Sequence, residues 1–220
     1  MTLGSARVLT FNGGTIDGNN YSIAGASSLT MATGPFSLTN SSGSTFSIGA
    51  IPITHTSGTL TLGANLTSTG VAGYTFTAGT LNLSSYTLTV YLFSSSNTNT
   101  RTLNFGTGKI VLNATGSANI WTTTTLTGLT ISGTAPLVEC QGGNGGSATQ
   151  ITKTINTGTM TEAQAISFSI LETQHTSQTI AYAFTASNVV KNLTIVGPSS
   201  GGTLNINNVA ITIYGSFTDT

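Results

Sequence analysis

The chain has 220 residues, long enough for a single all-β domain with a continuous core. Charged residues make up only 5% of it, five basic against five acidic, so the formal net charge is zero and neither nucleic acid nor an anionic membrane has an electrostatic claim on it. One cysteine, Cys140, excludes an intrachain disulfide and a cysteine-based zinc site.

Hydrophobic residues account for 38% of the chain, yet mean hydropathy is positive at +0.22, because the polar remainder is Thr, Ser, Asn and Gly rather than charge. Such a composition also occurs in disordered chains, but those lack regular β-branched alternation. No apolar run reaches the length of a secretion signal core or a membrane span, so the sequence reads as a product released by lysis, or as an excised piece of something longer.

In chain order, residues 7–12 (RVLTFN) form a first strand, with Val8 or Leu9 and Phe11 for the inside. Gly13 and Gly14 then open the phrase GTIDGNNYSIAG, residues 14–25. Residues 28–53 break into strand-length alternating pieces, with Pro35 and Pro52 at strand starts, where a missing N–H costs least. A partial copy of the phrase follows at 58–70. Its clearest copy is GTLNLSSYTLTV, residues 79–90, in which Leu81, Leu83, Leu88 and Val90 alternate with small polar residues around a break at Ser84 and Ser85. That pattern predicts strand, turn, strand.

Residues 94–100 (SSSNTNT) form a polar loop, an excursion from the core. Residues 101–121 then supply three strands separated by glycine-containing corners, one complete turn. A second phrase, Leu-Thr-Ile with a glycine two residues later, occurs within 126–133 and again within 191–197. Between these copies lie a glycine-rich loop at 139–150 and, at 159–178, the one place where a helical turn competes with strand. Thr161 can cap a turn through Ala165, after which Ile166, Phe168 and Ile170 restore period two, so strand with a lead-in turn is expected. Residues 202–214 (GTLNINNVAITIY) repeat the first phrase at the same internal offsets.

Repeated strand-and-corner phrases without helices or charge predict an all-β β-solenoid, parallel β-helix-like rungs of roughly 20 residues stacked in one elongated domain over 1–220. One rung cannot bury its own Leu and Ile; stacking supplies both the hydrogen bonds and the interior. The alternative is a β-sandwich, but hairpin dipeptides are few. The phrases NLTI-x-G and GTLN-x-x-x-x-TLTV-x-x-F, with GSFT at 215–218, resemble the repetitive β-solenoid sections of phage tail and fibre proteins and of bacterial surface adhesins. The resemblance implies a solenoid fold and a virion or extracellular, cell-surface location; it carries no catalytic residue to this chain.

Candidate sites are sparse. Glycan cleavage needs paired carboxylates, and Asp17, Glu139, Glu162, Glu172 and Asp219 are scattered, with Glu162 and Glu172 the one pair that neighbouring rungs could bring together. His55 and His175 lack ligand spacing, so neither a metal site nor a Cys140–His175 nucleophile pair is indicated, and no cofactor is expected. The glycines of 142–147 have no following Lys-Ser/Thr and read as a loop. Thr-x-Thr pairs, among them Thr59, Thr61, Thr75, Thr77, Thr87 and Thr89, would order water and bind ice if they shared one flat face. Their ordinary reading is that Thr suits outward β positions. Trp121, Tyr74, Tyr86, Tyr91, Tyr182 and Tyr214 read as core or corner packing rather than a sugar-stacking platform.

The expectation is a non-enzymatic structural protein of a virion appendage or extracellular fibre, self-assembling as a homo-oligomer or with neighbouring subunits, and attaching to a surface glycan. A secreted adhesin or filament subunit is the alternative; a glycan-cleaving tailspike or an ice-binding protein ranks below it. No nucleic acid or membrane insertion is expected. Residues Gly215, Ser216, Phe217 and Thr218 begin a strand without a charged or helical cap, which marks them as an assembly end.

Overall fold

The computed structural model describes residues 7–20, 22–23, 28–71, 73–143, 150–172, 179–185, 187–197, 203–206 (side chains of 203–205 aside) and 210–220. Among them the chain forms 25 short strands and no helix. They assemble into sheets of nine, six and eight strands plus one two-strand pair, and neighbours within a sheet are parallel. Successive strands step from sheet to sheet: Arg101–Asn104 lies on the six-strand face, Lys109–Leu112 on the eight-strand face and Ala118–Thr122 on the nine-strand face. Residues 101–121 are therefore one circuit of a β-solenoid of about eight turns. Parallel neighbours need a long crossover, which the rest of each rung supplies. A sandwich of hairpins would have paired its strands antiparallel.

The period-2 pattern sets the register. Leu60, Leu81, Leu103 and Ile131 lie on one another on the six-strand face. On the eight-strand face Leu66, Leu88, Ile110, Val138, Phe168 and Leu193 do the same. A slip of one residue would turn every one of these side chains outward, so the alternation locks the stack. The nine-strand face stacks aromatics: the Tyr74 and Phe93 rings are 5.8 Å apart and nearly parallel, Phe93 and Trp121 are 4.7 Å apart, and Phe168 meets Trp121 edge-on. These side chains are fully buried in one continuous apolar cluster. Each contributes about 1.5–3 kcal/mol of transfer free energy.

Rung length is less regular than a repeat of 20 suggests, from 19 residues between Tyr74 and Phe93 to 35 between Ala118 and Lys153. Among the described residues the extra ones sit between strands. At the corner after the six-strand face, Asn82 Oδ1 accepts the Ser84 N–H and, one rung on, Asn104 Oδ1 accepts the Gly106 N–H, both at 3.0 Å. Ser84 and Gly106 each have φ of 58°, the left-handed conformation that an Asx turn supports.

The recurring phrases do not keep their place in the rung. Strands Gly14–Asp17 and Gly79–Asn82 lie on the six-strand face, but Thr203–Ile206 continues the nine-strand face. Likewise Leu129–Ser132 is on the six-strand face and Leu193–Val196 on the eight-strand face. Each phrase encodes strand and corner, and contact with the preceding rung selects the face. After Ile151–Asn156 the chain skips the six-strand face: Gln164 and Ala165 close a single helical turn on Thr161 and Glu162. The Gln164 side chain then donates to the Leu129 carbonyl at 3.0 Å, in place of a strand. Ser167–Leu171 resumes period two, as the lead-in turn predicted.

Candidate functional site

Both ends of the solenoid present strand edges with no partner strand among the described residues. At one end, Val8–Phe11 pairs only with Ser28–Met31, and Gly14–Asp17 only with Phe36–Thr39. Leu9, Phe11, Ile16, Ile23 and Phe46 line an apolar recess of about 280 Å³ there. Val8 is 64% exposed. At the other end Phe217–Asp219 pairs with Leu193–Val196 on one side only.

The four residues Gly215, Ser216, Phe217 and Thr218 sit at this second end. Gly215 donates its N–H to Lys191 O at 2.7 Å and Ser216 to Asn192 Oδ1 at 2.8 Å. Thr218 stacks on Thr194, and Phe217, stacked on Leu193, remains 57% exposed. Asp219 follows on Ile195 in an inward column and is exposed.

The faces carry hydroxyl and amide columns, but not the array expected. Thr59 and Thr61 belong to the six-strand face, Thr75 to the nine-strand face with Thr77 in the corner after it, and Thr87 and Thr89 to the eight-strand face. These six therefore do not share a surface, because residues that follow one another along a rung turn the corner onto different sides. The columns that exist run along the axis. Thr59, Thr80, Thr102 and Thr130 stack in register on the six-strand face, beside Thr61, Asn82, Asn104 and Ser132, at the ladder spacing of about 4.8 Å. Thr10, Thr30, Thr54, Thr75, Ser94 and Thr122 form another on the nine-strand face.

The carboxylates are dispersed. Exposed Glu162 lies 3.8 Å from Lys191, beside a shallow groove of about 330 Å³ that also takes in Pro136 and Asn192. Glu172 is buried against Lys153. The candidate pair is thus split, each acid answering a different lysine. Glu139 binds Lys109 at 2.7 Å. Asp17 accepts the Ser41 and Asn19 N–H groups, which hold its carboxyl below the usual range. Among the described residues no His, Cys, Asp or Glu side chains gather as a metal site.

His55 is a core residue. Its Nε2 donates to Gly58 O at 3.3 Å, which leaves Nδ1 to accept the Tyr74 hydroxyl at 3.1 Å. Burial depresses its pKa and keeps the ring neutral. His175 and residues 144–149 of the glycine-rich loop lie outside the described residues. Cys140 is fully buried, and burial pushes its thiol pKa up. Trp121, Tyr74 and Tyr182 are buried, Tyr86 and Tyr91 are half-buried, and Tyr214 is 44% exposed.

Two buried cations escaped the sequence reading. Arg101 fans its guanidinium over the carbonyls of Asn99, Ser95, Thr125 and Thr127 at 2.6–3.0 Å. Lys153 points inward to Glu172, Gln141 O and the Tyr182 ring. Both occupy inward phases of alternating strands, Arg101-x-Leu103 and Ile151-x-Lys153-x-Ile155. That phase was the available signal.

No family model matches the chain, and neither a curated protein nor a solved structure matches it.

Proposed function

We propose that this chain is a non-enzymatic structural element of a virion appendage or another extracellular fibre, which assembles end to end with further copies or with neighbouring structural subunits. The observation that supports this reading is that, among the described residues, parallel strand edges have no partner strand at both ends of one continuous core, with Val8 and Phe217 exposed beside them. An edge of this kind is a template for another strand. The near-absence of charge supports the same role, since long-range repulsion does not keep copies apart.

Light scattering and electron microscopy across a micromolar concentration series test it. Rods that lengthen with concentration, and that are indifferent to added salt because no ion pair drives them, are expected. A monodisperse monomer throughout the series would sink the reading.

A further inference from the structure

Lys153 occupies an inward position of Ile151–Asn156, and Tyr182 is its register partner on the next rung. Its Nζ touches Glu172 Oε1 and donates to Gln141 O at 3.0 Å, which fixes the amine in place. The same Oε1 accepts the Tyr182 hydroxyl, and Oε2 accepts the Gly143 N–H at 2.9 Å. The two side chains are dry, 0% and 1% exposed. An ion pair pays heavily for such burial unless it is fully solvated by the protein. To act as a nucleophile Nζ must give up one proton, and Oε1 is the acceptor it touches.

We propose that Lys153 and Glu172 are a self-modification site, at which Nζ condenses with Cδ to form an intramolecular isopeptide amide. The Nζ lone pair attacks Cδ, and negative charge gathers on Oε2, where the Gly143 N–H receives it. As the Cδ–Oε1 bond breaks, the Tyr182 hydroxyl protonates Oε1, and the phenolate recovers a proton from Nζ. Amine and acid become amide and one water, with no oxidant or reductant. Oε2 stays as the amide oxygen.

Fixed juxtaposition replaces a bimolecular encounter, and exclusion of water opposes the reverse hydrolysis. Burial favours the neutral amine of Lys153, against the pull of Glu172, and keeps the Tyr182 hydroxyl protonated as a donor. The neighbouring Cys140 is also held as a thiol by burial, so it does not compete as a nucleophile. The product would tie the nine-strand face to the residue just past Leu171 on the eight-strand face.

Intact-mass spectrometry of the denatured full chain tests this without any variant. The expected mass is lower than the sequence mass by one water, with trypsin failing to cut after Lys153, so that residues 110–191 survive as one fragment. The full sequence mass with normal cleavage at Lys153 overturns the proposal. Lys153→Met should carry its unmodified mass, and Glu172→Gln should lose ammonia instead of water. Tyr182→Phe keeps the ring and removes the relay, and should slow cross-linking by about 100-fold or more; cross-linking at the wild-type rate in that variant overturns the tyrosine's part.

Discussion

Arg101 Nη1 donates to the Ser95 carbonyl oxygen at 2.6 Å, and among the described residues no carboxylate pairs with the guanidinium. Its other donors reach Asn99 O, Thr125 O and Thr127 O, so one planar fork holds the polar loop, which begins at Ser95 after the strand Leu92–Ser94, against the corner of the next rung. Arg101→Met leaves these carbonyls bare in a dry site and should cost about 3–5 kcal/mol. Arg101→Lys keeps the charge, loses the fork and falls between. Urea unfolding midpoints of the variants check the order.

Gly79 lies on Gly58 with no room between them. A Cβ on Gly79 would stand 2.1 Å from Gly58 O, and its φ is 92°. Both the clash and the backbone strain oppose any side chain, and the obstructing atom is backbone, which cannot swing away. Gly79→Ala should therefore lose more than about 2 kcal/mol. Gly197, whose added Cβ meets nothing within 4 Å, is the control, and Gly197→Ala should leave the thermal midpoint nearly unchanged.

The alternation of residues 79–90 made the fold legible, because inward Leu81, Leu83, Leu88 and Val90 are the residues that the structure buries. What misled was phase. The same opening words recur in Thr203–Ile206 on another face, since a strand of four residues holds too little pattern to say which side of a rung it occupies. The threonine columns were illegible for the same reason: Thr80 and Thr102 neighbour each other through register, not through spacing in the sequence. Arg101 and Lys153 were overlooked because cations are normally read as surface, although their inward phase in a nearly chargeless chain is visible in the strands themselves.

His55 makes stability depend on pH. Burial lowers its folded pKa below the ordinary imidazole value of about 6.5, so between the folded and unfolded pKa values the unfolded chain binds a proton that the folded chain does not. Stability then falls as pH drops below about 6.5, with a slope of up to ~1.4 kcal/mol per pH unit. Urea midpoints between neutral pH and about pH 5, above the unperturbed carboxylate range, should show this fall, and His55→Gln should flatten it. An unchanged slope in the variant would place the titration elsewhere.

Phe217 and Val8 are the exposed apolar side chains of the two end strands. A lysine on an edge strand opposes addition of another strand, because its ammonium would have to be desolvated at the new contact. Phe217→Lys and Val8→Lys should each weaken self-association by about tenfold or more, equivalent to ~1.4 kcal/mol. Because both positions are largely exposed, folding stability should change by only about 0.5 kcal/mol. Thr102→Lys adds the same charge to the middle of a side column and should leave end-to-end growth intact. If sedimentation shows Thr102→Lys abolishing assembly while Phe217→Lys spares it, the contacts run along the faces and the end edges are not the joint.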